Sequence, residues 1–247
     1  MTPPAARDFT PPVYHTHMNW KPLGDQAVLV YLADEASAAG FAAGLRAAAP
    51  PWLRDVVPAY ASAGVFFDAD AVGTAEVVAL CEVLANPERE RRGGSEINPV
   101  AHAPGSPSTH AIPVCYELQL DAARVCEHTD LAFDDIIRLH TATTFTVYAV
   151  GFVPGFPYMG YLPAELCGVP RLASPRTRVE PGSVGVTGRQ TAIYPAAVPG
   201  GWNLIGRTPL TIVDVADSFF PIRVGDAVRF ERIDERRFAE LRGERLG

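Results

Sequence analysis

With 247 residues, 48% hydrophobic and 20% charged, the chain can hold one large domain or two modest ones and has a globular rather than a disordered or fibrous composition. Its formal net charge of -7 argues against a general polyanion binder, because nucleic-acid affinity rests on basic surface. No apolar run approaches the roughly 20 residues that a membrane-spanning helix needs. Residues 1–18 lack the apolar core of a secretory signal and read as a disordered or extended tail, so a cytoplasmic location is the default expectation. Gln26 to Leu32, QAVLVYL, is a β-branched apolar run and predicts a strand. An alanine-rich helix follows, opened by Asp34 or Ser37 and stopped by Pro50-Pro51. VVPAYAS and GVFFD predict two short strands meeting near Ser62-Ala63-Gly64, and Gly73 to Leu84 has helical spacing. Together, 19–86 form an expected α/β sandwich domain.

Residues 87–108 are polar, charged and rich in Pro and Gly, which predicts a linker before a second domain over 109–247. That domain opens with the strand THAIPVCY, continues with helices over Asp121 to His128 and Phe133 to His140, and returns to strand at TTFTVYAV. Between Gly151 and Pro209 lie ten glycines and nine prolines, which exclude long helices and leave short strands with tight turns, as in a barrel or sandwich. IRVGDAVRFERI reads as a β-turn-β around Gly225-Asp226, followed by a short charged helix, Asp234 to Leu241. The fold class is therefore α+β.

Several familiar sites are excluded. No GxxxxGK[ST] is present, and Lys21 is the only lysine, so anion chemistry falls to arginine forks, backbone amides or a partner's residues. Gly182, Gly185 and Gly188 do not form a dinucleotide fingerprint, Ser183 is not in a GxSxG elbow, and HExxH is absent. The four cysteines show no CxxC pair, and Cys126-Glu127-His128 lacks a second ligand pair, so free thiols and no metal site are expected.

What remains is a set of shaped loops with a few polar side chains. GFVPGFPYMGYLP, Gly151 to Pro163, combines stiff prolines with permissive glycines, and its Phe152, Phe156, Tyr158 and Tyr161 either wall a pocket or pack a structural corner. Arg176 and Arg178 alternate on one extended face, which suits a carboxylate or phosphate, with Arg176 in the stiffer part beside Pro175. Gln190 can read an amide, and Tyr194 ends the same short strand. Arg207, between Gly206 and Thr208, either forks onto a ligand or forms a salt bridge at a strand end. His140 is either an acid/base group or a helix cap.

The segments IIRLHTATTFTVYAVGFVPGFPYMGYLP, PRLASPRTRVEPGSVGVTGRQTAIYP and PGGWNLIGRTP resemble the allophanate hydrolase subunit 1 family, which includes the B subunit of 5-oxoprolinase and a Kip-type inhibitor of a histidine kinase. The resemblance runs from Gly24 to Phe230 and implies a cyclophilin-like β-barrel as the second domain. It further implies ATP-dependent cleavage of 5-oxo-L-proline to L-glutamate, with Mg2+ expected in the complex. The implied partners are the C subunit of the same enzyme and its LamB/YcsF-like A subunit, and the chain alone is expected to be inactive. Alternatives are an allophanate hydrolase or urea amidolyase-like subunit, or a regulator of a sensor kinase. The family's repeated polar positions fall here on His140, Tyr158, Arg176, Gln190, Tyr194 and Arg207. His140 and Arg207 are the catalytic candidates, and Tyr158, Arg176, Gln190 and Tyr194 the substrate-binding ones. GYLP and QTAIYP stand where relatives often have GGLP and QTGIYP, so Tyr161 and Ala192 add bulk. The Phe-His-Arg segment of prolyl isomerases is missing, so that activity is not expected.

Overall fold

The computed structural model describes residues 18–85 and 108–247, so the expected tail, except Met18, and the expected linker, except Ser108, lie outside the described residues. The described residues divide into two compact units, one of 18–57 and 61–85, the other of 108–247 with Pro58–Tyr60.

In the first unit, β1 (Asn19–Pro22), β2 (Ala27–Tyr31), β3 (Leu53–Ala59) and β4 (Ser62–Phe67) form a sheet in the order β1-β2-β4-β3. Helices α1 (Glu35–Ala48) and α2 (Thr74–Ala85) supply Phe41, Leu45, Val77 and Cys81 to a core shared with Val28, Val30, Val56 and Val65. Asp34 is the residue that caps α1: its Oδ1 accepts from the Ser37 amide at 2.7 Å. The β3–β4 turn falls at Tyr60-Ala61, slightly before the position the glycine suggested. Strand β1 was not foreseen from the sequence. It is a four-residue edge strand ending at Pro22, too short to show a period, and it exists through its register with β2.

The second unit runs β5 (Thr109–Cys115), α3 (Ala122–Thr129), α4 (Phe133–Ala142), β6 (Thr144–Val150), β7 (Pro157–Gly160), β8 (Arg176–Val179), β9 (Ser183–Thr187), β10 (Gln190–Ile193), β11 (Val198–Gly200), β12 (Asn203–Arg207), β13 (Ala227–Ile233) and α5 (Glu235–Glu240). Seven strands close a barrel in the order β10-β7-β6-β13-β5-β12-β9, while β8 and β11 pair separately as a ribbon. Every barrel strand contributes to one apolar core, through Ile112, Phe145, Met159, Val184, Ile193, Ile205 and Phe230 among others, with Ile136 and Ile137 of α4 packed into it. The segment IRVGDAVRFERI contains one strand, not two. Residues 221–226 stay irregular because the Asp226 carboxylate takes the Arg223 amide at 2.8 Å, folding the backbone into a turn.

Candidate ligand site on the outer face of the barrel

Side-chain alternation separates the two faces of the barrel wall. On β10, Thr191 and Ile193 point into the core, whereas Gln190, Ala192 and then Tyr194 point outward. The register Ala192↔Tyr158 places Tyr158 of β7 on the same outer face, one diagonal step from Gln190. A second apolar cluster covers this face, made by Phe156, Val179, Ala192, Tyr194, Trp202 and Leu204 with Tyr158 against its edge. Phe156 meets Tyr194 and Trp202 edge to face at 5.1 and 5.8 Å, and Tyr158 meets Trp202 at 5.9 Å.

The proline-glycine loop before β7 therefore serves both as packing and as surface. Phe156 is buried in the cluster, Tyr158 is half-buried, and Phe152 is 62% exposed and held at φ 67. Gly155 adopts φ 72, and a Cβ there would lie 2.2 Å from Val213 Cγ2, so only glycine fits this corner.

The polar residues sort by whether their hydrogen-bonding capacity is already committed. His140 is fully buried at 0% exposure and stacks on Phe230 at 4.5 Å. Thr191 donates its hydroxyl to the Gly185 carbonyl at 3.2 Å, so it accepts from His140 Nε2–H at 3.0 Å. That fixes Nδ1 as the acceptor of the Tyr116 hydroxyl at 2.8 Å. Burial holds the imidazole neutral by pushing its pKa down to about 3. The acid/base role expected of His140 is not supported by this placement, because neither ring nitrogen is free to reach a ligand.

Arg176 is also committed. Its guanidinium donates to Asp121 Oδ1 at 2.6 Å and to the Trp202 carbonyl at 3.4 Å, while Asp121 Oδ2 accepts the Leu204 amide at 2.7 Å. Arg178 is exposed and pairs with Glu180 at 2.6 Å. Arg207 donates through Nε to the Pro181 carbonyl at 2.9 Å and lies near Glu180, whose carboxyl is kept acidic chiefly by the hydrogen bond from Arg178 and to a smaller extent by the charge of Arg207. These contacts place Arg207 at the start of β9 rather than with the aromatic cluster. Tyr194 is 1% exposed, and its oxygen takes a backbone hydrogen bond from Trp202.

Tyr158 and Gln190 remain. Among the described residues neither the Tyr158 hydroxyl nor the Gln190 amide has a hydrogen-bond partner, and both stand on the outer face beside the aromatic cluster. Arg171, not among the candidates from sequence, joins them, its guanidinium 5.9 Å from the centre of the Trp202 ring. Burial raises the pKa of Tyr158 and of Tyr194, and the positive charge of Arg171 pulls both back. Arg171 carries no signature in sequence, standing between Pro170 and Leu172 with no alternation or glycine beside it. An aromatic bed with a free hydroxyl, a free amide and a guanidinium suits a small planar amide. Among the described residues no group of three or more His, Cys, Asp or Glu side chains could hold a metal ion.

A model of the carboxyltransferase domain, subdomain C and D, matches residues 18–220. The 5-oxoprolinase B subunit of Bacillus subtilis (strain 168) is 40% identical over 138 residues, 54% of this chain and 56% of the relative. That of Escherichia coli O157:H7 is 48% identical over 111 residues, 44% of this chain and 50% of the relative. The matched stretches span about half the length of these curated relatives. Among solved structures, TTHA0988 superposes with a TM-score of 0.69 at 29% identity, covering 85% of this chain and 40% of that one. The urea amidolyase of K. lactis gives a TM-score of 0.69 at 15% identity over 91% of this chain and 15% of that one, a likeness of fold alone. The family match takes in the first described unit, the second as far as residue 220 and all the residues of the outer-face site, and the chain belongs to the family of carboxyltransferase domains, subdomains C and D.

Proposed function

We propose that this chain is the B subunit of an ATP-dependent 5-oxoprolinase that opens 5-oxo-L-proline to L-glutamate with partner subunits. The observation that carries the reading is the identity of 40–48% to proteins named as the B subunit of 5-oxoprolinase in three bacteria. The outer-face site agrees with it chemically. A lactam is a planar amide whose nitrogen lone pair is delocalised onto oxygen, so water attacks its carbonyl carbon poorly. Transfer of a phosphoryl group from ATP to that oxygen gives ADP and an activated carbon. One water attacks there and expels the ring nitrogen, which takes up a proton and leaves an acyl phosphate, and a second water cleaves that acyl phosphate to give glutamate and inorganic phosphate. Positioning and charge stabilisation make up most of such a step.

In this reading the lactam ring lies against the Tyr158 edge of the cluster. Tyr158 donates to the lactam oxygen, and Gln190 accepts from the ring N–H. Arg176, Asp121 and Tyr194 hold the wall behind them. ATP is a substrate of the assembled enzyme and Mg2+ accompanies it; the partners are the C subunit and a LamB/YcsF-like A subunit. The test is ATP-dependent glutamate release from 5-oxoproline by this chain, alone and with the candidate C and A subunits. Activity is expected only in the complete mixture. No release with all three folded and associated would refute the reading, and release from allophanate in its place would move the chain to a different amidohydrolase.

A further inference from the structure

We infer that Arg171 is the anion anchor of the outer-face site, taking the carboxylate of a small planar ligand whose amide is read by Tyr158 and Gln190. The inference rests on the oxoprolinase reading and deepens it, because 5-oxoproline carries a carboxylate on the ring carbon next to the amide nitrogen.

The first support is the state of the guanidinium. Of the exposed arginines in this unit, Arg178, Arg232 and Arg245 hold a carboxylate, whereas Arg171, Arg189, Arg223 and Arg242 have no ion pair among the described residues. Arg171 is set apart from the other unpaired ones by its place: its guanidinium rests on the face of Trp202, a member of the outer-face cluster. Its five donors are available in a planar fork that matches a carboxylate.

The second support is that Arg171 is fixed in place despite its exposure. The carbonyl of Pro170 accepts from Asn203 Nδ2 at 3.0 Å, and the amide of Leu172 donates to the Gly201 carbonyl at 2.8 Å. Asn203 is itself fully buried and also donates to the Val186 carbonyl at 3.1 Å. The backbone on both sides of Arg171 is thereby tied to the barrel wall. An anchor ordered before the ligand arrives loses less entropy on binding.

The third support is position. Arg171 and Tyr158 both lie against Trp202, at 5.9 Å in each case, so an anion on the fork leaves the attached ring over Tyr158. The half-buried aromatic surroundings lower the local dielectric and strengthen the attraction. Arg176, the arginine favoured from sequence for this contact, is spent on Asp121 and the Trp202 carbonyl. Its part is to hold the residue on which Arg171 rests.

A nucleotide phosphate would also fit a guanidinium beside aromatics, and the experiment separates the two sources. Isothermal titration of the full chain, alone and mixed with the candidate C and A subunits, uses three probes: 5-oxoproline, 2-pyrrolidinone, which is the same lactam without the carboxylate, and ATP. Arg171→Ala is expected to weaken 5-oxoproline binding by about 10- to 100-fold, the range for a lost charge-assisted contact. Binding of 2-pyrrolidinone should change less than about threefold, and Arg171→Lys should regain part of the 5-oxoproline affinity. Unchanged 5-oxoproline binding in the alanine variant overturns the anchor and leaves the oxoprolinase reading standing. Equal losses for both lactams, or loss of ATP binding alone, also overturn it. If the wild-type chain binds no lactam in either setting, the oxoprolinase reading fails and the anchor with it.

Discussion

His140 shows how a residue suited to catalysis becomes part of a core. Its Nε2–H is directed at Thr191 and its Nδ1 at Tyr116, and Phe145 and Phe230 lie against its ring. Protonation would strip the acceptor from the Tyr116 hydroxyl and place a charge among aromatics. Burial therefore sets the folded pKa at about 3, against an ordinary value of 6.5 in the unfolded chain. Between those values only the unfolded chain binds the proton, so stability is full above the upper value and falls as the pH drops toward the lower one. The slope is at most about 1.4 kcal/mol per pH unit. Urea unfolding of the wild type and of His140→Gln at pH 7.5 and 5.5 measures this. The stability difference between the two proteins should shrink by about 1 kcal/mol at the lower pH, because glutamine does not titrate. A difference that stays constant would show that the imidazole titrates alike in both states.

At the scale of elements, the ribbon of β8 and β11 shields the outer-face cluster, with Val179 and Val198 packed into it. The approach is closest at Gly200, where an added Cβ would lie 2.5 Å from the Tyr194 hydroxyl and 2.7 Å from its ring. Gly200→Ala should destabilise the protein by about 1–3 kcal/mol through overpacking. Tyr194→Phe removes the nearest atom, so the double variant should lose less than the sum of the two singles. Strict additivity in thermal unfolding would mean that the ribbon shifts away without contacting Tyr194.

Legibility in the sequence follows from the same packing. Strands with β-branched or aromatic runs, such as β2 and β6, could be read directly, as could α1 with its Asp34 cap. Tyr158 could be named as a candidate from the aromatics of the proline-glycine loop, Gln190 from its capacity to pair with an amide, and both from the resemblance. The commitment of Arg176 to Asp121 was not readable, since those residues lie 55 positions apart and neither has a local pattern that links them. Arg171 was missed for the same reason: its anchor on Asn203 comes from β12, after several intervening strands.

For the second unit as a whole, closure of the barrel depends on β5 and β13, the one parallel pair in the wall, in register from Thr109↔Ala227 to Cys115↔Ile233. More than a hundred residues separate the two strands, so the pairing carries a large loop-closure entropy and offers no turn to set its register. Asp226 supplies the register. Its carboxylate accepts from the Ser108 amide at 2.9 Å, from the Arg223 amide at 2.8 Å and from His110 Nε2 at 3.1 Å, and its own carbonyl takes the Val147 amide at 2.9 Å. One buried side chain thus joins the start of β5 to the turn that launches β13, while its backbone ties that turn to β6. Asp226→Ala leaves the backbone bond intact but strands the Ser108 and Arg223 amides and buried His110. Each unsatisfied buried donor costs about 1–3 kcal/mol, so a loss of about 3 kcal/mol is expected. Asp226→Asn retains one acceptor oxygen and should lose less. Chemical unfolding gives the size of the loss, and amide exchange gives its location: protection in the alanine variant should fall first at 109–115 and 227–233. If those strands stayed protected while β7 and β10 opened first, the register would be set by the apolar core and not by Asp226.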